Sequence, residues 1–217
     1  MSELTPEDVI AAGPELAGAG AVPVRKRPKP GERREQILQA LASMLERPGA
    51  ERITTAALAA RLGVSEAALY RHFSSKAQMF EGLIDFIENS VFTLINQVLE
   101  REGTQPAQAA RVVALLLQFG EKNPGMTRVM VGDALVFEHE RLQVRMNQFF
   151  DRVEAQLRQC LRGVTDEPGH APQPVGVSAR ASMMVGFAMG RLQRFARSDF
   201  KRSPTEHLDL VLSWMLP

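Results

Sequence analysis

The chain has 217 residues, of which 45% are hydrophobic and 24% charged, and its formal net charge is +1. This composition is typical of a soluble globular protein with one or two domains, and Cys160, as the only cysteine, excludes an internal disulfide framework. No apolar run approaches the roughly 20 residues that cross a bilayer, and the N-terminus lacks the basic and apolar regions of a secretory signal, so we expect a cytoplasmic protein.

The first 30 residues form a leader that is rich in proline and ends in basic residues. Five prolines interrupt it, and no helical or strand period is sustained, which predicts disorder. The Arg-Lys-Arg-Pro-Lys-Pro stretch at 25–30 could reach DNA as a flexible arm or simply keep the chain soluble.

Positive charge is concentrated next to this leader. Residues 25–80 carry eleven basic and five acidic side chains, a local net charge of +6, whereas residues 81–217 carry 15 basic and 16 acidic ones. A basic segment on an otherwise neutral chain is typical of a nucleic-acid contact. A solvated basic surface is the other interpretation, and charge alone does not separate the two.

From residue 31 onwards, apolar residues recur at the three- and four-residue steps of a helix, and no alternating strand pattern appears. We predict an all-α fold of about nine helices, with a loop over Gly163–Val177. We assign 31–80 to a DNA-binding domain and 81–217 to a helical dimerisation and partner-binding domain. The predicted helices lie at about 31–47, 55–62, 66–72, 76–101, 106–120, 126–131, 134–161, 178–200 and 205–216.

The most informative segment is residues 53–73, where two short helices are joined by Gly63-Val64-Ser65. Thr54 and Ser65 are residue types that cap helix N-termini, and Gly63 can take the positive φ of a tight turn. This is the pattern of a helix-turn-helix, over about 54–73, whose second helix enters the major groove of DNA.

The first turn of that second helix is Glu66-Ala67-Ala68, and its small alanines would allow a close approach to base edges and thymine methyls. Hydroxyl side chains before and within the motif could bind phosphates. Thr54 and Ser65 could equally be plain caps, and Tyr70 and His72 could pack against the first helix. The predicted DNA-binding residues are Arg52, Thr54, Thr55, Ser65, Glu66, Ala67, Ala68, Tyr70, Arg71, His72 and Lys76.

Lys76 stands at the first position of a long predicted helix, where the helix dipole is positive. A cation there is unfavourable by about 0.3–1 kcal/mol, and a bound phosphate would reverse the sign. The other interpretation is that Lys76 is exposed and the cost is tolerated.

The motif Leu69-Tyr-Arg-His-Phe-Ser-Ser-Lys76, after Thr54-Thr55 and Gly63-Val64-Ser65, resembles the DNA-binding domain of TetR-family regulators. The resemblance implies a homodimer on a pseudo-palindromic site of double-stranded DNA, with the last two helices forming the dimer interface. It continues at 119–125, 137–138, 153–159 and 200–201, where the chain is similar to the SlmA-like nucleoid occlusion factors, a branch of that family. This branch implies a nucleoid-associated protein that binds chromosomal sites and the division protein FtsZ together and inhibits division-ring assembly over the nucleoid.

Three residues are candidate FtsZ contacts. Phe86 lies about 200° around the helix axis from Ile84, off the apolar stripe of its helix, and is either a partner anchor or buried against another helix. Lys122 and Asn123 lie in a polar turn before Pro124-Gly125. The resemblance implies that FtsZ binds this side of the two helices.

Gly186 and Gly190 are the candidate dimer residues. Each costs about 1 kcal/mol against alanine inside a helix, which a close helix–helix contact would offset. That contact is either the dimer interface or packing within one subunit.

An enzyme is not expected, because the chain has no phosphate-binding glycine loop, two-histidine zinc helix or serine elbow. We predict no catalytic residue, metal site or cofactor, and we interpret Glu138-His139-Glu140 as a solvated helix face. The alternative functions are a ligand-responsive TetR-type repressor, which needs an apolar pocket, and a purely architectural DNA-binding protein.

Overall fold

The computed structural model describes residues 31–47, 52–101, 103–165 and 176–216. Within these residues it confirms the all-α prediction, with nine α-helices, one short 3-10 helix at Asp133–Leu135 and no strand. The predicted disorder of 1–30 and the middle of the predicted 163–177 loop lie outside the described residues. The α-helices are α1 Glu32–Leu45, α2 Thr55–Leu62, α3 Glu66–Tyr70, α4 Lys76–Arg101, α5 Gln105–Lys122, α6 Pro124–Met130, α7 Glu140–Thr165, α8 Val177–Arg197 and α9 Leu208–Met215.

The helix predicted at 134–161 is wrong at both ends. Gly132 takes φ +85° before the 3-10 helix, residues 136–139 are not helical, and α7 begins only at Glu140. At the other end α7 continues through Gly163 to Thr165, where the prediction placed a loop.

The last two helices are shorter than predicted because the chain between them turns sharply. Asp199 and Phe200 take φ of 49° and 62°, and the Phe200 N–H donates to the Phe195 carbonyl, which ends α8 before Phe200. The buried Arg128 side chain lies over the Phe200 ring and pairs with Asp199 at 3.4 Å. This segment therefore packs on α6 instead of extending either helix.

The helices pack in two groups, one around α5 and one around α1. α5 lies against α4, α7 and α8 in the larger part of the molecule, while α1 packs against α2, α4 and α6. Gly125 at the start of α6 touches α1 so closely that a Cβ there would lie 2.2 Å from the Ala42 carbonyl oxygen. The close approach of α6 to α1 joins α1 and the short helices packed on it to the rest of the molecule.

No helix in the described ranges combines the length and the apolar character that crossing a membrane requires.

Candidate nucleic-acid interface

The turn between α2 and α3 has the geometry that the sequence predicts. Gly63 takes φ +63°, its N–H donates to the Ala60 carbonyl, and the Val64 N–H donates to the Ala59 carbonyl. This is a Schellman ending, which needs a left-handed residue and therefore favours glycine. Ala59 and Leu69 are buried between the two helices, so the turn holds α2 and α3 against each other as a helix-turn-helix.

Hydroxyl side chains stabilise the N-termini of both helices. Thr54 Oγ1 accepts a hydrogen bond from the Ala57 N–H at 3.2 Å, and Ser65 Oγ accepts one from the Ala68 N–H at 3.3 Å. Thr55 donates to the Glu66 carboxylate, which links the start of α2 to the start of α3. Both predicted caps are confirmed, and exposure leaves Thr54 and Ser65 able to contact a phosphate as well.

Most of the predicted DNA-binding residues lie on the exposed surface of these helices. The side chains of Thr55, Ala68 and Lys76 are half-buried, and the other eight are exposed. Tyr70 is 45% exposed, so tight packing against α1 does not hold it. The exposed members are Arg52, Thr54, Ser65, Glu66, Ala67, Tyr70, Arg71 and His72.

The end of α3 contacts α1 through the Phe73 ring and the His72 carbonyl, whereas the His72 side chain is exposed. The Phe73 ring is 1% exposed, and the Arg34 guanidinium lies over it at 4.2 Å while Nη1 donates to the His72 carbonyl. Arg34 therefore links the end of α3 to α1, a contact that the sequence alone does not predict.

Lys76 is neither free nor freely exposed. Its Nζ forms an ion pair with Glu138 Oε1, and the side chains are 25% and 8% exposed. The interpretation of Glu138 as part of a solvated helix face is therefore wrong, because its side chain is ion-paired and only 8% exposed and lies in the non-helical 136–139 segment, whereas His139 and Glu140 are exposed. The neighbouring Phe137 ring lies 5.9 Å from the Arg52 guanidinium carbon.

The surface around Phe86 lies farther along α4. Phe86 is 49% exposed, which contradicts burial in the core, and its ring centroid is 6.4 Å from that of Phe119 on α5. Lys122 is exposed one helical turn beyond Phe119, and Asn123 Nδ2 donates to the Phe119 carbonyl at 2.8 Å, so Asn123 also caps α5. Phe86, Lys122 and Asn123 therefore all adjoin Phe119.

The acidic neighbours of Phe86 are held by a residue from α7. Arg145 contacts Asp85 at 2.5 Å and Glu88 at 2.7 Å. The hydrogen bond to Glu88 raises the pKa of the Arg145 guanidinium above its ordinary value, so this guanidinium stays charged. It fixes this part of α4 against α7.

Gly186 and Gly190 face open space within the subunit. A Cβ at either position would meet no atom within 4 Å, so packing within one subunit does not explain them. α9 runs antiparallel to α8, because Arg180 Nη1 donates to the Met215 carbonyl and Arg191 Nη2 to the Glu206 carbonyl. These two helices also expose large apolar side chains that no sequence prediction covers: Met183, Met189, Leu210 and Trp214, the last 77% exposed.

Comparison with known proteins agrees with this geometry. Residues 37–83 match the family model "Bacterial regulatory proteins, tetR family", and residues 105–216 match the SlmA-like "Tetracyclin repressor-like, C-terminal domain". The nucleoid occlusion factor SlmA of Photobacterium profundum is 54% identical over 182 residues, which span 83% of this chain and 92% of that protein. The chain belongs to the SlmA nucleoid occlusion factors of the TetR family.

Further relatives support the same assignment. The SlmA protein of Escherichia coli O81 is 53% identical over 178 residues, 82% of this chain and 89% of that protein. The crystal structure of the MbdR regulator from Azoarcus sp. CIB superposes with a TM-score of 0.70 at 19% identity, over 84% of this chain and 96% of that one, and shows a shared fold. Family membership makes the chain a non-enzymatic DNA-binding regulator, as the sequence predicts.

Proposed function

We propose that the protein is a dimeric nucleoid occlusion factor that binds pseudo-palindromic chromosomal sites and FtsZ at the same time. In this function it associates with the nucleoid and inhibits division-ring assembly over unsegregated DNA. Residues 31–80 act as the DNA-binding domain, and residues 81–217 carry the dimer and partner surfaces. The observation that carries the proposal is the helix-turn-helix at Thr54–Phe73 in a chain 54% identical to an SlmA protein.

The DNA arm of the proposal assigns contacts to the exposed side of α2 and α3. Ala67 and Ala68, at the start of α3, approach base edges. The hydroxyls of Thr54, Ser65 and Tyr70 and the basic side chains of this region bind phosphates and set the register. Their exposure is compatible with contact along one groove.

The dimer arm assigns the interface to α8 and α9. A second copy would cover Leu210 and Trp214 and would pack against the open glycine positions 186 and 190. Covering a side chain as large as Trp214 is favourable because apolar surface leaves water. Two copies joined there would present two recognition helices, one α3 from each copy, to a symmetric DNA site.

The partner arm assigns FtsZ to the surface formed by Phe86, Lys122 and Asn123. A half-exposed aromatic ring beside a second ring is a suitable hydrophobic anchor, and an exposed lysine next to it adds a charged contact. The acids beside Phe86 are already bound to Arg145, so they hold the anchor in place without needing a partner.

Two measurements on the same preparation test the proposal. The first recovers the DNA bound to the protein in cells: sites dispersed over the chromosome are expected, whereas one promoter would favour the ligand-responsive repressor. The second sediments FtsZ polymers with the protein and a recovered DNA duplex, and the polymer fraction is expected to fall. Unchanged polymer with the DNA fully bound would contradict the FtsZ arm alone.

A further inference from the structure

A partly buried acid, Glu138, pairs with one of the proposed DNA-binding cations, Lys76. Glu138 belongs to the non-helical 136–139 segment, 62 residues from Lys76 in sequence, yet its carboxylate pairs with the Lys76 ammonium at the first residue of α4. Phe137, the residue before it, lies against the Arg52 guanidinium. The 136–139 segment, which belongs to the C-terminal part of the molecule, thus contacts the proposed DNA-binding domain.

The pair is the stable arrangement when no DNA is present. The Glu138 side chain is only 8% exposed, so its carboxylate has lost much of its contact with water, and the Lys76 ammonium offsets part of that loss. Lys76 gains as well, because the carboxylate offsets its position at the positive end of the α4 dipole. Lys76 therefore neutralises the Glu138 carboxylate, and Glu138 neutralises an ammonium that lies at the positive end of the helix dipole.

DNA would compete for the same ammonium. A phosphate that binds Lys76 either takes it from Glu138 or shares it, and sharing brings two anions close together, which is unfavourable. We infer that Glu138 is an affinity-setting residue, which holds Lys76 in the free protein and weakens its contact with DNA phosphate. This inference rests on the proposed DNA-binding role of Lys76.

Opening this pair does not undo the contact between α4 and α7. Farther along, Arg141 Nε binds Glu81 Oε1 at 2.7 Å, and Arg145 binds Asp85 and Glu88. These ion pairs and the buried core beneath them remain when Lys76 leaves Glu138. Replacement of Glu138 should therefore alter DNA binding while the chain stays folded.

The test is a double-mutant cycle on full-length protein, with a DNA duplex recovered by the wild-type chain as the probe. Affinity is measured over a series of salt concentrations for wild type, Glu138→Gln, Lys76→Met and the double variant. Glu138→Gln should raise DNA affinity about fivefold with an unchanged salt slope, since the number of phosphates bound is the same. Lys76→Met should make the slope shallower by about 0.9 for each phosphate that the variant no longer binds, and Glu138→Gln should then have little further effect.

Two further variants control for charge and folding. Glu140→Gln removes an exposed acid two residues away and should leave DNA affinity nearly unchanged. Glu138→Asp keeps the charge but shortens the side chain by one methylene group, and should raise DNA affinity by a smaller factor than Glu138→Gln. It replaces Glu138→Gln in the test if that variant does not fold. Thermal melting of each variant identifies those that are folded.

The outcomes separate the inference from the proposed function. An affinity gain that is equal with and without Lys76 would show only long-range charge repulsion and would overturn the inference. So would a loss or no change of affinity in folded Glu138→Gln and Glu138→Asp proteins, or a salt slope that Lys76→Met leaves unaltered. Failure of the wild-type chain to retain any DNA would instead contradict the proposed function.

Discussion

The proposed DNA-binding surface of α2 and α3 is polar and cationic, whereas the exposed face of α8 and α9 is apolar. The first presents hydroxyls, alanine methyls and cations around short, locally capped helices, whereas the second presents Met183, Leu210 and Trp214 around two open glycines. Polar and cationic groups suit a charged ligand that exchanges with salt, and exposed apolar area suits a lasting contact with another subunit. One chain thus carries two surfaces that should respond differently to solution conditions.

Salt should separate the two surfaces most strongly. DNA affinity is expected to fall by about 10³-fold or more between about 50 and 200 mM salt, because counterions return to the phosphates that the protein leaves. The dimer should persist over the same range, because burial of apolar surface does not depend on ion release. DNA titrations and analytical ultracentrifugation measure the two. DNA affinity that is flat with salt would contradict the assignment of the basic segment to phosphate contacts.

Trp214→Glu should disrupt the apolar face directly and DNA binding only through the loss of the dimer. A charge placed in the proposed interface is expected to weaken dimerisation by about 100-fold or more, since an interface tryptophan can carry several kcal/mol and the new carboxylate would be buried unpaired. DNA affinity should fall as well, because a monomer brings only one recognition helix to the DNA site. Sedimentation equilibrium measures the monomer fraction.

Trp214→Phe is the matched control, because it keeps an aromatic ring at the same position and should retain the dimer. A Trp214→Glu protein that remains dimeric at the concentrations where wild type is dimeric would place the interface elsewhere.

Phe86→Ala should affect a third surface without changing either of the first two. Truncation of an anchor is expected to cost about 2 kcal/mol, roughly a 30-fold loss of FtsZ binding. Because Phe86 is half-exposed, the melting temperature should change little, in contrast to the roughly 3–5 kcal/mol that truncation of a buried phenylalanine costs. FtsZ sedimentation, a DNA titration and a thermal melt measure all three. A well-folded variant that still antagonises FtsZ would remove Phe86 from the partner surface.

Thr54→Ala should show the smallest effect and separate capping from DNA contact. Removal of the cap is expected to destabilise the protein by about 1 kcal/mol. Removal of a hydrogen bond to phosphate should weaken DNA binding by a further tenfold or so, which corresponds to about 1.5 kcal/mol for a charge-assisted bond.

Ser75→Ala is the matched control for Thr54→Ala, because Ser75 Oγ caps α4 by accepting from the Gln78 N–H. It should lower stability by a similar amount and leave DNA affinity unchanged. If the two substitutions have equal effects on DNA, Thr54 is only a cap.

Short-range hydrogen bonds explain why much of the helix-turn-helix could be predicted from the sequence. Thr54, Gly63 and Ser65 act on backbone groups within five residues, so their types alone indicate where α2 and α3 begin and end. The bounds of α4, predicted at about 76–101, are confirmed at Lys76–Arg101 for the same reason. The family resemblance is also carried by these short motifs, and it predicted the SlmA-like assignment that the relatives confirm.

Only the tertiary structure decided which residues meet across the molecule. The sequence predicts a continuous helix through Glu138, whereas the fold breaks that helix and brings the carboxylate to Lys76. In the sequence Gly125 is only the residue after a polar turn and Pro124, but its position against the Ala42 carbonyl shows that close packing of α6 on α1 requires it. Periodicity and capping report interactions within a few residues of the chain, and contacts between distant segments arise only when the helices have packed.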